Sequence, residues 1–566
     1  MLKVITAAEM REVDRLTTER YATPSLLLME TAANASARAI VSRFSKDVSA
    51  LRLLILCGRG NNGGDGAALA RILSLKGALV EVILFGRVED TRGDARTNFE
   101  IARRIASAAP ETLSASRLSF TDCTDEAAWG AFQAARKDYD VIVDALFGTG
   151  LTRPLEGIYA EVVGHLAQIR DARPESVERR PFLVSLDVPS GLDADTAELI
   201  GDAVQADLTV TFTAPKPANV LPPASHFNGE LIVADIGSPA ALVDAAGSQL
   251  FLTEADDARA WLKLTRYRPG SYKNTHGHAL IIAGSRRMSG AAVLCGNAAM
   301  RSGAGLVTIA TPASALDAVA ARVMPEVMMA ELPETTEEKQ AGVHADTRIL
   351  SETAVEQALQ LAARANALTI GPGLTSAEHI RRLARAIVER RTAPVVIDAD
   401  GLNALAPWPP DLHGTPEAPL ILTPHPGEMR RLTGADADQD SLAGRIRNAR
   451  DFAVAHQLIL VLKGARTIIA APDGRVSVNP TGNAGAGTAG AGDTLTGIIT
   501  GFIAQSRGAL GNDMDAYAAT VAAVYVAGLA CDLAAGAEGM RAIVASDISR
   551  HLGAAVRALD PVGERP

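Results

Sequence analysis

The 566-residue sequence reads as α/β throughout, divided into two units with one sheet each. Three observations predict this. Short apolar runs alternate with helical stretches along the whole chain, the pattern of parallel sheets covered by helices. Each half carries a Gly-rich loop that follows a strand and opens a helix. Aromatic residues make up only 4%, which argues against a β-sandwich core or a base-stacking surface.

In the first half, strands are expected at Leu53–Leu56, Val80–Phe85, Val141–Asp144, Phe182–Asp187, Leu208–Phe212 and Leu231–Ala234. In the second half they are expected at Ala279–Ala283, Leu306–Ala310, Leu368–Ile370, Val395–Asp398, Leu420–Thr423 and Ile459–Leu462. Helices are expected at Ala67–Lys76, Ala291–Arg301, Ala377–Arg390, Leu442–His456 and Thr494–Gln505. An Asp-Ile-Gly-Ser-Pro stop closes the first sheet, and a polar segment follows. The boundary therefore falls between Gly237 and Asp257, giving domains 1–240 and 255–560. The Pro-rich stretch Pro407–Pro419 reads as an exposed loop, and the charged stretch Arg170–Pro181 as an insertion.

Composition narrows the function. Hydrophobic residues at 48% and charged residues at 21% rule out a disordered chain. A net charge of −10 lacks the basic excess of a nucleic-acid binder. The most apolar run, Ala516–Cys531, is shorter than the ~18 residues a membrane span needs, so a buried core helix is expected. The start, MLKVITAAEMREVDR, has no apolar signal core. No membrane partner and a cytoplasmic location are expected. Cys57, Cys123, Cys295 and Cys531 are far apart and form no CxxC, which suits free buried thiols in a reducing compartment.

The sharpest feature of the first half is Cys57-Gly-Arg-Gly-Asn61-Asn62-Gly63-Gly64-Asp65-Gly66. Glycines let the backbone turn tightly and approach a ligand, and free N–H groups at a helix start favour anions. A tight turn alone would not need the Asn-Asn-x-x-Asp cluster. Two more polar clusters end strands: Asp144-Ala-Leu-Phe-Gly148-Thr149-Gly150 and Asp187-Val-Pro-Ser190-Gly. Strand C-termini of a parallel sheet form one rim, where ligands bind. Asn62, Asp144 and Ser190 could converge there, and their oxygens would suit a hard cation. Singly, each residue reads equally as a loop cap. Asp187 reads either as a cap or as a rim carboxylate able to move a proton.

These pieces, with Thr6-Ala-Ala-Glu-Met-Arg11 and Leu28-Met29-Glu30, resemble the NAD(P)H-hydrate epimerase family (YjeF N-terminal domain) over residues 1 to about 235. The resemblance implies a Rossmann-like domain that epimerises hydrated nicotinamide dinucleotides at C6. It implies that Asn61, Asn62, Gly63, Gly64 and Asp65 hold the substrate together with Gly148, Thr149, Gly150, Leu151, Thr152, Arg153 and Pro154. It also implies K⁺ on Asn62, Asp144 and Ser190, with Asp187 touching the substrate and moving the proton. The family's Asn-Ala-Gly after Leu-Met-Glu is Thr31-Ala32-Ala33 here.

In the second half, Asn479-Pro-Thr-Gly-Asn-Ala-Gly-Ala-Gly-Thr-Ala-Gly490-Ala491-Gly492-Asp493 runs straight into an apolar helix. Backbone N–H groups of Gly490, Ala491 and Gly492 would form an anion hole. Asp493 at the helix start could take a proton from a hydroxyl attacking a phosphate. A flexible linker rarely leads into an apolar helix with Asp at its cap. Lys463-Gly464-Ala465-Arg466-Thr467 ends a strand with a cation and a hydroxyl. Ile370-Gly-Pro-Gly373-Leu374 is a rim turn. Thr423-Pro-His425-Pro-Gly-Glu428 fixes His425 between prolines.

With Gly284-Ser285, Ser289–Ala292, Arg301–Gly305 and Asp398-Ala-Asp-Gly-Leu-Asn403, these motifs resemble the ribokinase-like superfamily. Within it they are similar to the ADP/ATP-dependent NAD(P)H-hydrate dehydratase (YjeF C-terminal) domain over about 260–560. The resemblance implies that Lys463, Gly464, Ala465, Arg466, Thr467 and Gly492 contact ADP (or ATP) with Mg²⁺. It implies that Ala291 or Ala292, Gly373, His425 and Asp493 contact the hydrated cofactor, with Asp493 catalytic. Common Pro, Met and Thr positions of the Gly-rich loop carry Ala484, Ala486 and Ala491 here, which predicts weakened phosphate binding.

Both halves point to one repair pathway. NADHX and NADPHX are the expected substrates, an adenine nucleotide the co-substrate, and a homo-oligomer the expected assembly. A small-molecule kinase with an N-terminal ligand-binding module is the alternative. A third reading makes the first half a non-catalytic protein-binding domain.

Overall fold

The computed structural model describes residues 1–44, 47–107, 117–135, 137–173, 181–336, 348–434 and 441–561. Contacts divide the chain into Leu2–Gln249 and Leu250–Pro566. The expected α/β class holds in both units.

The first unit's sheet is built from β1 (Arg52–Cys57), β2 (Leu79–Phe85), β3 (Leu118–Cys123), β4 (Val141–Ala145), β5 (Phe182–Leu186), β6 (Leu208–Phe212) and β7 (Glu230–Ala234). Their order is β3-β2-β1-β4-β5-β6-β7, all parallel. Alternate residues of β1 serve opposite faces. Leu53 and Ile55 pack with Ala68, Leu69 and Phe99 on one side, and Leu54 and Leu56 with Trp129, Val162 and Leu166 on the other. That makes three layers. β3 was not expected: its Leu-Ser-Phe-Thr-Asp-Cys lacks an apolar run because it is the exposed sheet edge. The helix expected at Ala67–Lys76 begins earlier, at Asn61, and ends at Leu75, so the Asn-Asn-Gly-Gly-Asp cluster is its first turn.

The second unit's main sheet includes β8 (Leu250–Leu252), β9 (His278–Ile282), β10 (Leu306–Pro312), β11 (Met328–Leu332), β12 (Ala367–Ile370), β13 (Val395–Ile397), β14 (Leu420–Leu422), β15 (Ile459–Leu462), β16 (Ile468–Ala470) and β17 (Val476–Val478). The order is β8-β17-β16-β15-β14-β13-β12-β9-β10-β11. From β15 to β11 the pairs are parallel; β15–β16 and β16–β17 are antiparallel. The expected single sheet is joined by a small second one, an antiparallel pair of Glu334–Thr336 with Arg348–Leu350.

Two expectations are corrected. Pro407–Pro419 is not simply an exposed loop: Trp408, Leu412 and Ala418 are buried, and the Trp408 indole donates to the Leu412 carbonyl. The apolar run at Ala516 extends into a helix to Glu538, long and apolar enough by composition to cross a membrane. Most of that stretch is nevertheless buried inside the unit, as expected of a core helix. In Arg170–Pro181, residues 174–180 lie outside the described residues. All four cysteines are free and buried.

Candidate active sites

In the first unit, β1 delivers the chain to Gly58, and the helix Asn61–Leu75 starts three residues on. A Cβ at Gly58 would lie 2.0 Å from the Leu146 carbonyl oxygen, and one at Gly63 1.8 Å from the Gly58 carbonyl oxygen. Only glycine allows this close approach of the loop to the end of β4. The result is a cavity of about 850 Å³ at the strands' C-terminal rim. Asn61, Asn62, Asp65, Gly148, Thr149, Gly150, Leu151, Arg153, Pro154 and Asp187 line it. Gly64 instead packs against Ala95 and Met29, and Thr152 is exposed outside the lining.

Asn62, Gly148 and Asp187 meet: a Cβ on Gly148 would stand 3.1 Å from Asp187 Oδ2 and 3.5 Å from Asn62 Oδ1. Both polar atoms of the Asn62 side chain are buried without a hydrogen-bond partner. Asp144 and Ser190 are fully buried. Ser190 Oγ donates to Asp144 Oδ1 at 2.5 Å, and Ser190 N to Oδ2 at 2.9 Å. Burial pushes the Asp144 carboxyl up, although these hydrogen bonds oppose it.

Asp187 has φ +63°, a left-handed backbone rare for a non-glycine residue. Its amide donates to Val210 O at 2.7 Å, and its carboxylate accepts from Lys216 Nζ at 2.5 Å and Thr211 Oγ1 at 3.1 Å. Strain of this kind persists where surrounding contacts over-determine the position. Lys216 is fully buried and also donates to Thr211 Oγ1 and Phe212 O.

In the second unit, the helix Ala491–Leu510 has Gly490 as its N-cap at φ +85° with no side-chain cap. The Ala491 N–H donates to the Thr488 carbonyl at 3.3 Å, so of the expected hole Gly492, joined by Asp493, has the N–H free for an anion. The preceding loop is pinned, not slack. Asn483 donates to Asp532 Oδ1 and accepts from Gly485 N, and Gly482 N donates to Asp532 Oδ2. A Cβ on Gly492 would lie 3.3 Å from Lys463 Nζ. The Lys463 ammonium thus stands beside the anion hole. It pairs with buried Asp398 at 2.7 Å and faces Glu428 at 3.9 Å. Thr496 donates to the other Asp398 oxygen at 2.7 Å. Burial opposes charge on both groups, yet their attraction holds Lys463 up and Asp398 down.

The Asp493 carboxylate makes no hydrogen bond or ion pair among the described residues. Burial pushes its carboxyl up to about 6, and the Asp398 charge adds to this while Lys463 opposes it. Gly373, at φ +67°, abuts Ala291. Ala292 is turned into the core against Gly284. His425 caps the helix Pro426–Thr433: its Nδ1 accepts from Gly427 N at 3.0 Å and Glu428 N at 3.3 Å. Arg466 donates to the Pro480 carbonyl at 3.0 Å, and Thr467 Oγ1 to the Gly464 carbonyl at 3.1 Å. The segment Lys463–Thr467 therefore braces the strand that leads into the Gly-rich loop.

Residues 25–218 match the family described as YjeF-related protein N-terminus, and residues 279–553 match NAD(P)H-hydrate dehydratase. The bifunctional NAD(P)H-hydrate repair enzyme Nnr of Moorella thermoacetica is 40% identical over 98% of this chain and 97% of its own length. The chain belongs to the bifunctional NAD(P)H-hydrate repair enzyme family. Its Escherichia coli relative of the same name is 31% identical over 88% of this chain and 83% of that protein. A solved Bacillus subtilis ADP/ATP-dependent NAD(P)H-hydrate dehydratase, co-crystallised with ATP and Mg²⁺, is 31% identical. It covers 55% of this chain and 99% of its own, with a TM-score of 0.44. The small-molecule kinase alternative gives way to an enzyme with epimerase and dehydratase units.

Sequence reasoning missed two groups of the epimerase cavity. Asp14, on the helix Ala7–Tyr21, lines it, and Lys216 sits behind Asp187. Pro215-Lys216-Pro217, just past a parallel strand's C-terminal end, was a usable signal; a cation between prolines there is poorly explained as a surface loop. Asp14 carries no such signal. In the dehydratase unit, Asp398 and Glu428 were seen as motif letters only, without their partnership with Lys463.

Proposed function

We propose that the first unit interconverts the R and S hydrates of NADH and NADPH at C6, and that the second restores NAD(P)H from the S form using ADP (or ATP). The carrying observation is Asp493, an unpaired carboxylate held near neutral pH at an uncapped helix N-terminus beside the Lys463 ammonium. This combination suits a base that must serve next to bound phosphate.

The adenine nucleotide supplies a phosphoryl group that makes the C6 oxygen a far better leaving group than hydroxide. Asp493 takes the proton of that hydroxyl. The N–H groups of Gly492 and Asp493 and the Lys463 ammonium neutralise phosphate charge. Gly373 and Ala291, in mutual contact, would form one wall against the ring. Mg²⁺ fits this carboxylate-rich site, because it prefers carboxylate and phosphate oxygens. Asp400 and Glu428, whose charges both act on Asp493, are the carboxylates that would hold it, Asp398 being committed to Lys463.

K⁺ fits the epimerase unit. The orphaned, buried Oδ1 of Asn62 lacks a partner, and Asp144 and Ser190 offer further hard oxygens. A cation there would offset the cost of keeping the buried Asp144 ionised. Arg153 and the loop Asn61–Asp65 would hold the dinucleotide in the cavity, and Asp187 would move a proton of the C6 hydroxyl.

A cytoplasmic homo-oligomer completes the reading, in keeping with the free buried thiols and with the resemblance. Light scattering reads the assembly.

The test is recovery of reduced-nicotinamide absorbance from mixed R/S NADH hydrate with Mg²⁺, K⁺ and ADP or ATP, followed faster than spontaneous epimerisation. Complete rapid recovery is expected. A stall at the S fraction would leave the epimerase assignment without support, and no recovery with either nucleotide would overturn the whole reading.

A further inference from the structure

We propose that Asp14 is the proton donor of the epimerase site, acting with Asp187 as the proton acceptor. The inference rests on the reading above that this cavity takes a hydrated nicotinamide dinucleotide.

Asp14 lies on the helix Ala7–Tyr21, one turn beyond Met10 and Arg11, and lines the cavity with Asn62, Asp187 and Lys216. Its Oδ1 is buried and has no hydrogen-bond partner. A buried, unpartnered carboxyl oxygen costs free energy and calls for an explanation in function. The cation within electrostatic reach does not supply the missing bond: Lys216 gives its protons to Asp187, Thr211 and Phe212 O.

Burial pushes the Asp14 carboxyl up to about 6; the Asp187 charge adds to this and the Lys216 charge opposes it. Asp65, also in the lining, is pushed well above the usual carboxylate range by burial and by the charges of Asp187 and Asp14. Two carboxyl groups of one cavity thus have opposite surroundings. Asp187 receives an ammonium and a hydroxyl; Asp14 receives neither. Environments that differ in this way separate an acid from a base.

The substrate needs both. Its C6 is a hemiaminal carbon, bearing a hydroxyl and a single bond to N1, and N1 is conjugated through C2=C3 with the carboxamide. Inverting C6 by ring opening requires the C6–N1 bond to break and re-form on the other face. Asp187 takes the hydroxyl proton, the freed O–H pair becomes the second C6–O bond, and the C6–N1 pair moves onto N1. Asp14 delivers its proton to N1. Rotation about C5–C6 presents the aldehyde's other face. N1 then attacks C6 and returns its proton to Asp14, while the oxygen recovers its proton from Asp187. No electron is gained or lost, and no further reactant is needed.

The test is Asp14→Asn and Asp14→Ala in the full-length chain, read by R/S exchange of NADH hydrate. A cooperative melting transition of the epimerase unit, retained in each variant, reports that this unit is folded. Asp14→Asn should slow exchange by about a hundredfold or more, the scale of general acid catalysis. Formate should restore roughly tenfold of the rate to Asp14→Ala by replacing the missing acid, and nothing to Asp14→Asn, whose amide fills the space. Exchange by Asp14→Asn within about threefold of the parent would overturn the proposal. So would a loss that formate does not repair in Asp14→Ala, which marks a structural role. If the parent chain fails to exchange the hydrates, the reading of the cavity falls and this inference falls with it.

Discussion

The two units solve one electrostatic problem in two ways. Each pairs an aspartate with a lysine, fully buried in one unit and half-buried in the other, and leaves a second aspartate unpaired, pushed up to about 6 by burial. In the epimerase unit the paired member, Asp187, faces the cavity, and the lysine, fully buried, forms part of the cavity wall beside it. In the dehydratase unit the paired member, Asp398, is sealed, and Lys463 reaches the anion hole. The positions of acid and cation are exchanged. On the proposed reading, the unit that moves only protons presents its carboxylate to the substrate, and the unit that also handles phosphate presents its cation.

The largest effect is expected at Asp493. Asp493→Asn should slow dehydration by about a thousandfold or more, within the range of general base catalysis, while R/S exchange continues. The sign of its stability effect is opposite. A carboxyl whose folded-state pKa is raised from 3.8 to about 6 favours folding when protonated, below 3.8, and loses that contribution as pH rises through 6. Holding it ionised at pH 7 costs up to about 3 kcal/mol. Asp493→Asn should therefore raise the melting temperature of the dehydratase unit at pH 7 while destroying its activity. A variant that is slow and also melts lower would show Asp493 to be structural.

The lysines come next. Removing one partner of a buried ion pair costs about 3–5 kcal/mol, because an uncompensated charge stays behind. Lys463→Met strands Asp398, whose side chain is 1% exposed, and should cost that full amount. Lys216→Met strands Asp187, which is 14% exposed and faces the cavity, so water can reach it and the loss should be smaller. Urea unfolding of each variant decides the order. Equal losses would remove the contrast between a sealed and a cavity-facing carboxylate.

How much of this was legible in the sequence follows from the distance between partners. Asn61–Asp65 and Gly490–Asp493 were readable because a strand, a Gly-rich turn and a helix N-terminus are consecutive. Asp187 and Asp144 were readable as strand ends on one rim. Asp14 was not: it reaches the cavity from a helix that precedes the whole sheet. Lys216 joins Asp187 across 29 positions and Lys463 joins Asp398 across 65, pairings that only the strand order creates. The same limit explains Ala291 and Ala292, neighbours that helical geometry sends to different surroundings.

A pH profile sharpens the comparison further. Asp493 must be ionised to accept a proton, so dehydration should fall about tenfold per pH unit below 6 and level off above it. Removing the Asp398 charge takes away one cause of the raised value and releases the Lys463 charge, the opposing cause. Asp398→Asn should therefore move the acid limb to lower pH. A limb that stays at the same pH, measured on whatever activity remains, would show that another group sets it.

The smallest effect concerns Ala491. The resemblance places a hydroxyl-bearing residue here in many relatives, next to the hole formed by the first N–H groups of the helix Ala491–Leu510. On the proposed reading the backbone carries most of the phosphate binding, so the missing hydroxyl is worth one hydrogen bond, about 0.5–1.5 kcal/mol. Ala491→Thr should tighten nucleotide binding by roughly two- to tenfold and leave kcat near that of the parent, since a contact made equally in ground and transition states lowers KM alone. A rise in kcat instead would mean that the hydroxyl bonds the phosphoryl group only during transfer. The hole would then be incomplete here as a catalytic device and not merely as a binding one. Threonine at the first helical position is a poorer helix former than alanine by a few tenths of a kcal/mol, a cost small enough to keep the two outcomes apart.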